Sequence, residues 1–496
     1  MTQSTERSSL LSRLRSLWPP APADVPAPPV PRWVAVADAL AVLSVLLALR
    51  VLATHGVRIQ FAGQFKLSMN SWLRPLAFAA GLLLVRHWRY PARPLPRRLL
   101  DTLTGAWRDP AMRASWAPFI VSRLGVLLIG YIAVMTFGFE SPAPWRIARN
   151  EFLNLPARWD SGWYLSIVFQ GYQWDGNALH ASSFAFFPGF PILIYAASAL
   201  TGLGEPAAGF VVVTAAFLWA LTYFHRLASE YLPPAAAQAA MLFAVFYPFA
   251  VFYSAIYTES LLLLAVLGAF YHFRRGELWR YAGFAVLAGL VRPNGFLLSV
   301  PLGLMVLIEF ARQRGWLRGQ PAACAAPSWS VLARRIGVAA LPIVGLLAYS
   351  AYVYTRTGDP FTWMKAQQAW GRSANGLMRM MGDRQDVITN YGVYDYTKNA
   401  AVEIMEGAAV LLALIGLWPI TRRFGLPYAA FVLLCVVPPL YSLGTISLGR
   451  YTSPLFPIFL WLGAAVPERR RPYWLAAFAA GQALVAALFF TWRAPY

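Results

Sequence analysis

Long apolar runs separated by short charged turns fill the chain from residue 34 onward. The first lie at 34–54, 71–86 and 117–137. Others follow at 186–203, 208–226, 236–252, 257–273, 281–291, 296–310, 331–354, 404–420, 427–443, 454–466 and 473–491. About 20 apolar residues in a helix cross a hydrocarbon layer, so the pattern predicts about 12 to 13 transmembrane helices. Backbone groups in lipid must be satisfied internally, and runs of this length do so as helices. The expected fold class is an all-α polytopic membrane protein.

The polar punctuation gives an orientation. Residues 86–115 hold seven arginines (Arg86, Arg89, Arg93, Arg97, Arg98, Arg108 and Arg113) against Asp101 and Asp109. Basic residues hold loops on the cytoplasmic side, so this loop and the turns at 274–280, 312–318, 421–423 and 468–471 are expected there. Two long segments, 138–185 and 355–402, then fall outside together. If all four runs between 186 and 273 crossed, Arg274, Arg275 and Arg280 would land outside. One of these runs is therefore expected to be half-length or re-entrant, or two of them to be one broken helix; 186–203 is the favoured run, because Pro188 and Pro191 interrupt its start. The Pro-, Ala-, Ser- and Arg-rich stretch 1–33 is expected to be a disordered cytoplasmic tail. Residues 34–116 then make two N-terminal spans and the basic loop, with the first span retained rather than cleaved. No repeat of fixed period is evident.

Composition excludes the soluble alternatives. The chain of 496 residues is 58% hydrophobic and only 13% charged, with mean hydropathy +0.50. Soluble domains carry about 25% charged residues. Two cysteines, Cys324 and Cys435, make no disulfide framework. The net charge of +21 sits mostly in turns between apolar runs, where topology accounts for it. A lipid bilayer is thus the expected partner, and nucleic acid is not.

Candidate chemistry concentrates in the first outer loop, in Arg158-Trp159-Asp160-Ser161-Gly162-Trp163-Tyr164, continuing through Gly171-Tyr172 to Phe184-Ala185-Phe186-Phe187-Pro188. A carboxylate among rings at a membrane surface can be desolvated into a better base. The plain alternative is an interfacial aromatic belt with Asp160 capping a helix. A second block is Tyr247-Pro248, Tyr253-Ser254 and Tyr257-Thr258-Glu259-Ser260, and a third is Leu290-Val291-Arg292-Pro293-Asn294-Gly295. Near the C-terminus stand Gly449-Arg450-Tyr451 and Phe456-Pro457.

In this order the blocks resemble the PIG-V-like mannosyltransferases, a family of GT-C glycosyltransferases. The resemblance covers residues 117–310 well and thereafter only the last two motifs. It implies a GT-C-like catalytic core over 117–310 and C-terminal helices over 311–496. It further implies an enzyme that transfers mannose from a polyprenyl-phosphate donor to a lipid or glycan acceptor. Transfer would occur on the non-cytoplasmic face with inversion. Asp160 is then the candidate catalytic base. Arg158, Trp159, Tyr164, His180, Glu259, Arg292, Asn294 and Arg450 are the candidate substrate-binding residues. The leaving phosphate needs cations, and Arg146, Arg149, Arg158, Arg292 and Arg450 can serve.

Each candidate has a structural alternative. Glu259 could orient the sugar, pair with Arg292, or cap its helix. Arg292 could snorkel to the interface. His180 could shuttle protons or simply be solvated, and Asp175 before Gly176 suits a turn. In the second outer loop Trp363, Met364, Gln367 and Trp370 form a helical stripe, for sugar binding or for resting on the bilayer. No Asp-x-Asp cluster calls for a metal, though Asp160, Asp175 and Glu259 could converge, and no cofactor is expected. A transporter or flippase of a lipid-linked sugar is the competing function. The Ala-, Arg- and Pro-rich usage is that of a GC-rich bacterium, so a plasma membrane with the site on its outer face is expected.

Overall fold

The computed structural model describes residues 30–54, 57–61, 65–91, 94–140, 145–177, 179–317, 327–373 and 375–493. Most of the expected N-terminal tail, together with Arg93 and Cys324, lies outside them.

Among the described residues six helices are long and apolar enough to cross a membrane: Arg32–Leu52, Pro110–Phe137, Glu205–Tyr231, Pro293–Gln313, Ala401–Phe424 and Glu468–Phe490. Two further pairs are bent at a break, Pro234–Phe246 with Pro248–Ser254 by 74° and Trp329–Ala339 with Leu341–Thr357 by 50°. Counting each pair as one span makes eight, and four shorter apolar helices accompany them. The long helices, bent pairs and shorter helices together make twelve apolar elements among the described residues, several of them short or broken. Between the first two runs lies an antiparallel hairpin, Val57–Phe61 against Phe65–Met69, which the run pattern did not predict.

The helix Pro110–Phe137 illustrates how these elements form. Asp109 accepts a hydrogen bond from the Ala111 N–H at 3.2 Å, Pro110 occupies the first turn, and Gly138 closes the helix at φ 63°. Ser115, Phe119, Ser122, Val126, Gly130 and Ala133 recur at helical spacing and are buried. Val121, Leu124, Leu128 and Ile132 are large, apolar and exposed on the other side. A helix apolar all round, packed on one face only, is suited to lipid on the other.

Proline breaks are chemically sealed. Pro248 ends the Pro234–Phe246 helix and frees carbonyls in the interior. Buried Arg123 donates to Ala250 O at 2.7 Å, Val245 O at 3.3 Å and Ser254 Oγ at 2.9 Å. Gln482 donates to Val245 O at 2.9 Å and Tyr247 O at 3.0 Å. The exposed carbonyls are thereby paired, as buried backbone requires.

The molecule has a basic end and a cavity end. Arg226 pairs with Asp109 at 2.6 Å, and Arg274 and Arg275 pair with Glu230 at 2.5 and 2.9 Å. Arg274 closes the helix Glu259–Arg274, whose other end carries Glu259. Sixteen residues at 1.5 Å rise hold the two ends about 23 Å apart. The helix Gly189–Thr201 has 13 residues, roughly 20 Å, too short for a roughly 30 Å layer. Its brevity accounts for the basic turns meeting at one end, as the half-length reading of 186–203 expects.

Candidate functional site

The helix Ser161–Gln170 follows a tight turn in which Ser161 N donates to Arg158 O and Gly162 N to Trp159 O. Trp159 sits at φ +49°, a left-handed conformation that an L-residue adopts at a cost of about 1–2 kcal/mol. Its indole N–H donates to Phe489 O at 3.0 Å, and its ring lies 5.1 Å from that of Trp492. These contacts hold the turn that places Asp160 at the helix start. The Asp160 carboxylate does not cap that helix. Instead its Oδ2 accepts from Arg450 Nη1 at 2.7 Å, while its backbone N–H donates to the Tyr257 hydroxyl at 3.0 Å. The capping alternative is therefore corrected.

Arg450 is the hub. On its other side its Nε lies 3.0 Å from Glu259 Oε1, an ion pair without hydrogen-bond alignment. The same Glu259 oxygen accepts from Arg292 Nη1. Arg292 lies 4.6 Å from the centre of the Tyr451 ring, and Arg372 donates to the Tyr451 hydroxyl. Three guanidinium groups thus surround one tyrosine, and the two carboxylates bound to them leave the set one positive charge in excess.

The set borders a cavity of about 760 Å³, within the range of small-molecule sites. Asp160, Tyr164, Arg292, Asn294, Arg372, Arg450 and Tyr451 line it. Tyr164 is buried, and burial pushes its hydroxyl above the ordinary phenol range, so it stays protonated beside Thr258 at 3.4 Å. The Asn294 Oδ1 is buried with no protein partner, an acceptor in want of a donor. Trp163 stacks on Phe186 at 5.5 Å, and Trp370 meets both edge-on at 5.6 Å. Gln367 donates to Ala185 O at 3.0 Å. The two long loops therefore close on one another at the cavity end. The stripe of Trp363, Met364, Gln367 and Trp370 lines the cavity rather than leaving only a bilayer-resting role.

Several sequence expectations need correction. Arg158 is wholly buried and spends its guanidinium on Phe490 O at 3.1 Å, Asn154 O at 2.9 Å and Glu151 Oε2 at 3.2 Å. It braces the loop and does not reach the cavity. Trp159 likewise is engaged with Phe489 and Trp492, away from the lining. Arg146 pairs with Glu151 at 3.0 Å. His180 is 63% exposed and bonds Asp175 at 2.8 Å, outside the cavity lining. Glu259 is fully buried at the first position of its helix, behind the arginines, and would act through Arg292 and Arg450 rather than touch substrate. Asp175 does not join Asp160 and Glu259, and among the described residues no three His, Cys, Asp or Glu side chains group as metal ligands.

The sequence reading assigned no role to Gln368, Ser373, Tyr441 or Ser447, all on the wall, and named Arg372 only among several cations of the second outer loop that could meet phosphate. The mixture of rings and cations in residues 355–402 was the available signal, but it did not single out positions. Tyr257 was quoted within a motif, with nothing to indicate that its hydroxyl meets the Asp160 backbone.

Comparison with known proteins bears on this class of membrane-embedded site. Residues 142–312 match the family model described as Mannosyltransferase (PIG-V). The chain is 30% identical over 164 residues to GPI alpha-1,6-mannosyltransferase 2 of Mus musculus, covering 30% of this chain and 31% of that protein. It thus matches about a third of the length of this curated relative. A solved structure, ArnT from Cupriavidus metallidurans bound to undecaprenyl phosphate, aligns over 76% of each chain at 13% identity and TM-score 0.38. The chain is an integral, multi-pass helical membrane protein, and over residues 142–312 it resembles the PIG-V mannosyltransferases, as its motifs imply. Asp160, Glu259, Arg292 and Asn294 fall inside the matched segment, while Arg372, Arg450 and Tyr451 fall outside it.

Proposed function

We propose that this protein is a GT-C-type membrane glycosyltransferase that moves a hexose, mannose by family resemblance, from a polyprenyl-phosphate donor to a lipid or glycan acceptor. The reaction takes place on the non-cytoplasmic face, where the cavity end lies opposite the arginine-rich turns. One observation carries the reading: Asp160 and three arginines share one cavity wall. The surplus positive charge of that set matches the single negative charge of a sugar phosphodiester.

The chemistry follows from these groups. The acceptor hydroxyl oxygen attacks the anomeric carbon, its proton passes to Asp160, and the bond to the phosphate oxygen breaks with its electron pair. Attack opposite the leaving phosphate inverts the centre. Arg292, Arg372 and Arg450 stabilise the charge that grows on the phosphate. Their planar forks suit phosphate oxygens. Arg450 couples the two halves, since it binds the base while facing the cavity. Tyr164, Asn294 and the ring cluster around Trp370 would hold hydroxyls and sugar faces.

The test is transfer of labelled mannose from polyprenyl-phosphate mannose in membranes carrying Asp160→Asn. A fall of about 10²–10⁴-fold is expected for loss of a general base. Undiminished transfer would refute the base assignment. Movement of the lipid-linked sugar without a new glycosidic bond would favour a transporter.

A further inference from the structure

Tyr451 is the one ionisable group in the cavity wall that touches a cation of this set through its own hydroxyl. Its side chain is 6% exposed. An arginine N–H can only donate, so the bond from Arg372 occupies a lone pair of the phenol oxygen and leaves its O–H free to donate elsewhere. Among the described residues no protein acceptor takes that proton. Arg292, Arg372 and Arg450 lie 4.6, 5.7 and 5.8 Å from the ring centre. An anion drawn to these three cations therefore comes within reach of the phenol.

We propose that Tyr451 is a catalytic acid of the transfer, giving its phenolic proton to the phosphate oxygen that leaves the sugar. The inference rests on the glycosyltransferase reading and adds a proton route to it. As the acceptor oxygen bonds to the anomeric carbon, its proton goes to Asp160. The anomeric C–O bond breaks, its electron pair stays on the phosphate oxygen, and that oxygen takes the Tyr451 proton. The products are the glycoside and a protonated polyprenyl phosphate. The proton on Asp160 then returns to the phenolate through cavity water, so the enzyme is restored and no other reactant is consumed.

Electrostatics supports the role. Burial alone would raise the Tyr451 phenol, but Arg372, Arg292 and Arg450 together outweigh it and bring it down to about 7. An acid of that strength suits a phosphate whose second pKa is about 6. Ionisable groups on the elements packed against Leu448–Thr452 are Tyr253 on Pro248–Ser254, Glu403 and Glu406 on Ala401–Phe424, and Tyr428, Cys435 and Tyr441 on Leu426–Leu443, while Asp160 and Glu259 lie beyond the arginines that bind them. Tyr451 itself lies outside the candidate spans.

The experiment compares wild type, Tyr451→Phe and Asp160→Asn as full-length protein in membranes, using polyprenyl-phosphate mannose across pH 5.5–9. For wild type, kcat should decline as pH rises through about 7, where the acid loses its proton. For Tyr451→Phe, kcat should fall about 10²-fold with donor KM little changed, and the alkaline decline should vanish. A Phe variant with wild-type kcat and the same alkaline limb overturns the inference. If that occurs while Asp160→Asn is dead, the glycosyltransferase reading stands and only the acid assignment fails. If Asp160→Asn transfers normally, the base assignment fails, and if wild type moves the lipid-linked sugar without forming a glycosidic bond, the glycosyltransferase reading itself fails. Fluorotyrosine at position 451, which keeps shape and hydroxyl but is a stronger acid, should shift the limb to lower pH. An unmoved limb overturns the inference even where the Phe variant misfolds.

Discussion

Replacing Glu259 by Gln isolates the electrostatics of the site. Glu259 is fully buried, and its carboxylate faces Arg292 and Arg450. The substitution keeps side-chain size and removes one negative charge, so the excess positive charge of the set rises from one to two. Removing one partner of a buried ion pair costs about 3–5 kcal/mol, because the remaining charge is left uncompensated. At 1.4 kcal/mol per decade, that lowers the folded-to-unfolded ratio by roughly two to three and a half orders of magnitude. Unfolding in mixed detergent micelles, followed by the fluorescence of the 20 tryptophans, reads this directly. The double variant Glu259→Gln with Arg292→Gln removes a cation as well. Its loss should be smaller than the sum of the two single losses by about 0.5–3 kcal/mol. A single variant within about 0.5 kcal/mol of wild type, or strict additivity, would refute the account of Glu259 as the buried counter-charge.

Two further outcomes are expected. A Cβ on Gly289 would stand 2.0 Å from Pro342 O, so Gly289→Ala should push apart the helices Leu278–Val291 and Leu341–Thr357 and lower the folded yield on size-exclusion chromatography; Gly283→Ala, with nothing within 4 Å, should not. His180→Ala should leave transfer within about twofold, since His180 is exposed and engaged with Asp175; a larger loss would place it in the reaction.

Spans are the most legible feature of the sequence because they depend on a local property. Chain length in a helix against layer thickness identifies Pro110–Phe137 or Glu205–Tyr231 without knowledge of any neighbour. Likewise, Pro188 and Pro191 mark the run 186–203 as abnormal, and the structure gives a 13-residue helix there. The hairpin at Val57–Phe61 and Phe65–Met69 lacked any such signal strong enough to be read.

At the site, the residue types were legible but their partners were not. Arg158 stands two residues from Asp160 and reads as a phosphate ligand, yet its environment comes from Phe490, more than 300 positions away. Arg372 lies in a loop of several similar cations, and only the closing of that loop through Trp370 onto Trp163 and Phe186 turns it towards Tyr451. Sequence alone determined a helical membrane chain with an acidic residue at 160 and cations to match, because hydropathy and charge act over short stretches. Tertiary packing alone decided which of those cations share one wall with Asp160 and which are consumed as braces, because a guanidinium's role depends on the acceptors that distant segments bring within about 3 Å of it.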